Sequence, residues 1–181
     1  MFLLKNNMSE YPSKLEELLE NLELTYDRDE RIQMLIDIAD RFKGVPDHIA
    51  IRPYPKSHLT PACESEAYVW SEALPNQSLR YHFAVENPQG ISAKALAVIL
   101  NETLSGEPVV KITQISTEVV YRIFGRELSM GKNMGLTSLL SMVQACARRY
   151  QDSGQADSNG VNGLFNAVSY THLTLPTILL V

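Results

Sequence analysis

The chain has 181 residues, with 16 Lys+Arg against 21 Asp+Glu and a net charge of −5 at pH 7. A hydrophobic share of 45% beside 20% charged residues suits one globular domain with a real core and argues against a disordered chain. The acidic balance speaks against a nucleic-acid binder, and no apolar run approaches the roughly 18 residues of a membrane helix. Met1-Phe2-Leu3-Leu4-Lys5 is too short an apolar run for a secretory signal. Two cysteines, Cys63 and Cys146, supply neither a disulfide framework nor a Cys-only zinc site, so a reducing cytoplasm is the expected compartment.

In chain order, Leu15, Leu18, Leu19 and Leu22 share one face of a helix over residues 14–24. A second helix is marked by Asp27 and Glu30 at capping-box spacing, with Ile32, Leu35, Ile36, Ala39 and Phe42 inward and Gly44 and Pro46 as its stop. Residues 46–62 hold four prolines and show no period, which reads as an irregular loop. Residues 66–73 read as a strand. Leu79, Tyr81, Phe83 and Val85 alternate with Arg80, His82 and Ala84, giving a second strand with a polar outer face. Pro75-Asn76-Gln77 turns one into the other as an antiparallel hairpin. Ser92 is placed to cap a helix carrying Leu96, Ile99 and Leu100, ended by Gly106 and Pro108.

A short helical piece follows over residues 117–124. The last helix runs from about Met134 to Tyr150, with Leu136, Leu139, Leu140, Val143 and Cys146 on its inner face. The fold class is therefore α+β: a small antiparallel sheet, hairpin 66–73/79–85, with helices packed on one side. Residues 1–10 read as an N-terminal extension, 11–152 as the domain and 153–181 as a flexible, polar and Gly-bearing tail. Residues 169–181 resemble translated adaptor sequence and are set aside from fold reasoning.

Cys63 is the most informative position. It stands where the Pro-rich loop meets the strand, so the loop gives the thiol access and the strand fixes it. Sulfur chemistry needs the thiolate, which Arg52, Lys56 and His58 upstream would favour and Glu64 and Glu66 would oppose. Two readings stand: a nucleophile, or a small buried hydrophobe. Cys146 reads as core filler. A Cys63–His58 nucleophilic pair lacks a third, orienting group, and His58 is otherwise simply solvated. Cys63, His58 and His48 with an acidic fourth ligand match no established zinc spacing. His82 belongs to a strand's exposed face and His172 to the tail. Gly125, Gly131 and Gly135 do not form a phosphate-binding fingerprint, and Trp70 reads as sheet core rather than a ligand platform.

Several segments together carry a resemblance. Glu30-Arg31-Ile32, Leu35, Ile38-Ala39-Asp40-Arg41-Phe42-Lys43-Gly44-Val45-Pro46, then Cys63-Glu64-Ser65 with Trp70, and Lys132-Asn133-Met134-Gly135-Leu136, resemble the SufE family. The likeness covers residues 11–151. It implies a sulfur acceptor in iron–sulfur cluster assembly. Cys63 would take the outer sulfur of a persulfide held by a cysteine desulfurase of the SufS type, stimulate that enzyme, and pass the sulfur to a SufB-containing scaffold complex. It implies no cofactor on this chain; pyridoxal phosphate belongs to the desulfurase. Two departures accompany it: Ala62 replaces the glycine usual before the cysteine, and Lys132 stands where arginine is common. Two other classes remain open. One is a cluster scaffold of the related IscU type, for which the active loop offers only Cys63 as a thiol ligand. The other is a non-catalytic interaction protein with a structural Cys63.

Overall fold

The structure is a computed structural model that describes residues 11–126 and 128–158. Helix α1, Ser13–Leu24, starts after Pro12 and buries Leu15, Leu19 and Leu22. Helix α2, Arg28–Asp40, opens on Asp27, whose carboxylate accepts the Glu30 N–H at 2.9 Å. That bond satisfies one of the donors a helix start leaves open. The Arg31 guanidinium donates to the Leu22 and Thr25 carbonyls and to Arg122 O, tying the end of α1 to α2. The inner face of α2 is Leu35, Ile38 and Ala39. Ile32, expected inward, is 44% exposed and edges a cleft instead.

Strands β1, Ala67–Ala73, and β2, Leu79–Val85, pair antiparallel, from Ala67 opposite Val85 to Ala73 opposite Leu79. The turn closes with the Leu74 N–H donating to Ser78 O at 2.9 Å. Val69, Leu79, Tyr81 and Phe83 belong to the main core, which helices close from one side as the period-two pattern requires. The other face is not the solvated surface that alternation implies. Val45, Ile49, Ala50 and Tyr54 from the loop before β1 fold over Trp70 and Ala84. Trp70 is thus core, but core of this smaller outer cluster. His82 is correspondingly half-buried rather than exposed, its Nε2 lying 3.2 Å from Glu72 Oε2.

Helix α3, Ile91–Leu104, is apolar almost all round, burying Ala93, Ala95, Leu96, Ala97, Val98, Ile99 and Leu100. It is the central helix, as an all-round apolar surface dictates. Its N-cap is Gly90, two residues before the expected Ser92, and no side chain caps it. Helix α4, Val109–Thr113, has too few residues to show a period in the sequence. The Gln144 amide, itself buried, donates to Ile112 O at 3.2 Å and Ile115 O at 2.7 Å and so fastens α4 down. Helix α5, Glu118–Phe124, stops at Gly125 with φ of 82°. Helix α6, Met130–Ser158, starts before Met134 and continues beyond Tyr150. Residues 153–158, read from sequence as tail, extend it. The remaining tail and residues 1–10 lie outside the described residues.

Tyr81 is fully buried and its hydroxyl has no hydrogen-bond partner among the described residues. Burial, with a smaller contribution from Cys146, pushes its pKa well above the usual tyrosine value. The neutral form is favoured in the fold, so stability is retained below about pH 10 and falls as pH rises further. Tyr81→Phe removes an unpaired buried hydroxyl at constant shape. The expected result is a melting temperature equal to or above wild type at neutral pH, with a shallower decline in alkali.

A candidate sulfur-handling site

Cys63 sits at the tip of a loop that prolongs the β1 edge. Leu59 bridges to Tyr68, and the Thr60 N–H donates to Ala67 O at 2.7 Å, closing the loop base. Within it the Glu66 N–H donates to Cys63 O at 3.1 Å. Two further bonds hold its descending arm to the end of β2: Asn87 N–H to Ser65 O at 3.2 Å, and Glu86 N–H to Glu66 O at 3.3 Å. The residues flanking the turn are left-handed, Ala62 with φ of 55° and Glu66 with φ of 48°. Neither is glycine, and each costs about 1–2 kcal/mol in that region. Ala62, the departure from the usual glycine, therefore adopts the conformation glycine would take without strain.

The loop lies directly on α6. A Cβ added to Gly135 would stand 3.1 Å from both Ala62 O and Cys63 Cα. The absent side chain is what allows the cysteine backbone to lie this close. Cys63 is half-buried and packs against the main core, while Pro61 and Ala62 are exposed. The shelter over the thiol's inner side thus comes from α6 and the cleft wall.

Beside the thiol opens a cleft of about 900 Å³ between α2, the start of α3 and the start of α6. Leu35, Ile36, Ile91, Phe124 and Leu136 supply its apolar wall, and Arg28, Arg31, Arg126 and Lys132 its cations. Asp27 and Glu64 are among its acids. The cations nearest in sequence to Cys63 are engaged elsewhere or absent from the cleft. Arg52 makes a two-pronged bond to Glu86, its Nη2 at 2.8 Å from Oε1, which raises its pKa. The His58 Nδ1 is 2.8 Å from Val69 O and the ring stacks on Trp70 at 5.1 Å. Lys56 is exposed and does not line the cleft. The Cys63–His58 pair therefore does not form. Among the described residues, no three His, Cys, Asp or Glu side chains converge as a metal site, so Cys63, His58 and His48 stay apart. His172 lies outside the described residues.

Cys146 is the other thiol. It is 5% exposed in the core against α6's neighbours, and Arg149 Nη2 donates to its sulfur at 3.2 Å. Serine there could keep the Arg149 bond but would bury a more polar atom. Cys146→Ser is expected to cost about 1–3 kcal/mol, read by urea unfolding, while leaving Cys63 alkylation unchanged.

The geometry defines a small α+β domain that presents one loop thiol at a mixed apolar and cationic cleft. The chain belongs to the SufE family, the Fe–S metabolism associated domain, which it matches over residues 16–147. Its role accordingly lies in Fe–S metabolism. Among solved structures it is similar to the solution structure of a hypothetical protein from Thermus thermophilus, at 23% identity and a TM-score of 0.63. That match covers 78% of this chain and 98% of the other, and it shows the shared α+β fold. No curated protein matches the chain. No helix among the described residues is long and apolar enough to cross a membrane.

Proposed function

We propose that the protein is a sulfur acceptor for a pyridoxal-phosphate-dependent cysteine desulfurase of the SufS type, working in the cytoplasm, with Cys63 as its reacting group. The Cys63 thiolate attacks the outer sulfur of the persulfide on the desulfurase cysteine. A new S–S bond forms to Cys63, the old one breaks, and the desulfurase cysteine leaves as its thiolate. Cys63 then carries the persulfide to a second thiol acceptor on a SufB-containing scaffold complex. One observation carries this reading: the half-buried Cys63 is held on a strained loop at the mouth of a large cleft, while Cys146 is locked in the core. A multi-cysteine cluster scaffold finds no second thiol at this loop. The test is alanine release by the desulfurase from cysteine. Adding this protein should accelerate turnover in proportion to its concentration up to saturation; no acceleration counts against an acceptor.

A further inference from the structure

The sulfur transfer described above gives His58 no part, yet its ring is held from two sides. Among the described residues the sheet has two strands, so the edge of β1 away from β2 has no third strand beside it. Such an edge presents a row of unpaired backbone groups. The arm leading into the Cys63 loop lies along it instead. Leu59 bridges antiparallel to Tyr68, which sets Thr60 opposite Ala67 and His58 opposite Val69. Carbonyls two residues apart on a strand point the same way, so Ala67 O and Val69 O both face this arm. The Thr60 N–H donates to the first at 2.7 Å. A regular ladder would use the His58 N–H for the second, but that group already donates to Pro55 O at 3.0 Å in the turn Lys56–His58. The imidazole takes its place, with Nδ1 2.8 Å from Val69 O. A carbonyl only accepts, so Nδ1 carries the proton. The ring also lies on Trp70, with 18° between the planes and 5.1 Å between centroids.

We infer that His58 is a positioning residue: its imidazole stands in for a backbone donor on the β1 edge and fixes the arm that carries Cys63 to α6. Thr60 and Val69 are both almost fully buried, so little water competes for the bonds of this arm. Without the ring, Val69 O loses its donor and the arm is held to β1 by one bond fewer. Cys63 follows on the same arm, and its contact with the backbone at Gly135 depends on where that arm lies. The purpose of this placement rests on the sulfur-acceptor reading, in which the thiol is kept half-buried between transfers. The placement itself does not.

The test uses the full chain without any desulfurase, in a Cys146→Ser background so that one thiol reacts. Two rates are read: alkylation of Cys63 by iodoacetamide, and hydrogen exchange at the Thr60 amide, with the amides of β2 as reference. His58→Phe keeps a ring to stack and removes the donor. His58→Asn removes the ring and keeps a donor, because its amide nitrogen reaches the place of Nδ1. Phe is expected to speed both rates about two- to tenfold, the span of one hydrogen bond's net contribution, while the β2 amides stay as they were. Asn is expected to return both rates close to the parent's. If the Phe variant fails to fold, His58→Leu replaces it, since Leu matches Asn in shape and lacks its donor. Rates unchanged by loss of the donor, a change in one rate alone, or Asn as fast as Phe would overturn the inference. So would β2 amides quickening equally with Thr60, which would mean general destabilisation. Because no sulfur donor is present, these outcomes are independent of whether Cys63 accepts sulfur.

Discussion

Cys63→Ser is expected to fold with an unchanged melting temperature, to bind the desulfurase, and to lose all stimulation of its turnover. The serine hydroxyl is close in size to the thiol, so the contact with Gly135 and the tethers to β2 survive. Its far higher pKa leaves no anionic nucleophile near neutrality, and it yields no persulfide. The measurement pairs alanine release with a binding isotherm. Binding without stimulation is the expected pair of results; stimulation retained by a well-folded Cys63→Ser would end the acceptor reading.

Gly90→Ala is expected to be the most damaging small substitution at the loop. A Cβ there would stand 2.9 Å from both Ser65 Oγ and Val85 Cγ1 and 3.0 Å from Asn87 O. The serine hydroxyl can rotate away, but the strand side chain and the carbonyl cannot without moving β2's end or the start of α3. Overpacking of this kind costs about 1–3 kcal/mol. Asn87 also donates to Ser65 O, so the same shift loosens the cysteine loop. Urea unfolding should show the loss, and hydrogen exchange should accelerate at the Asn87 amide. Gly44→Ala is the control, because a Cβ at Gly44 meets nothing within 4 Å and should change stability little. Equal stability for the two variants would refute the close packing assigned to Gly90.

The elements that were legible in the sequence are those with enough residues to display a period and a face to bury. The hairpin is the clearest, since Tyr81 and Phe83 must point one way and Arg80 the other. Helix α4, with five residues, has no period to display. Ser92 has better capping chemistry than Gly90. The start of α3 is nonetheless set by the loop it meets, for only glycine leaves room for Ser65 and Val85. The second core over Trp70 was hidden because the residues covering it, Val45, Ile49, Ala50 and Tyr54, come from a segment without regular structure.

At the site, Cys63 was legible from its place between loop and strand, and its setting was not. Arg52 and His58 are near it in sequence and turn to Glu86 and Val69, whereas Lys132 and Arg126 come to the cleft across the fold. Gly131 and Gly135 fit no ligand-binding pattern. Gly135 allows the close approach of one backbone to another and Gly131 leaves room for the Glu64 side chain, which depends on tertiary packing and leaves no local signature.

The central claim is that sulfur resides on Cys63 during transfer. Incubation with a pyridoxal-phosphate-dependent cysteine desulfurase and cysteine, followed by mass spectrometry without reductant, tests it directly. The expected result is a gain of about 32 Da, one sulfur atom, on the peptide containing Cys63, removed by a thiol reductant and absent from Cys63→Ser. An unmodified Cys63 peptide, or the added sulfur on Cys146, would contradict the account.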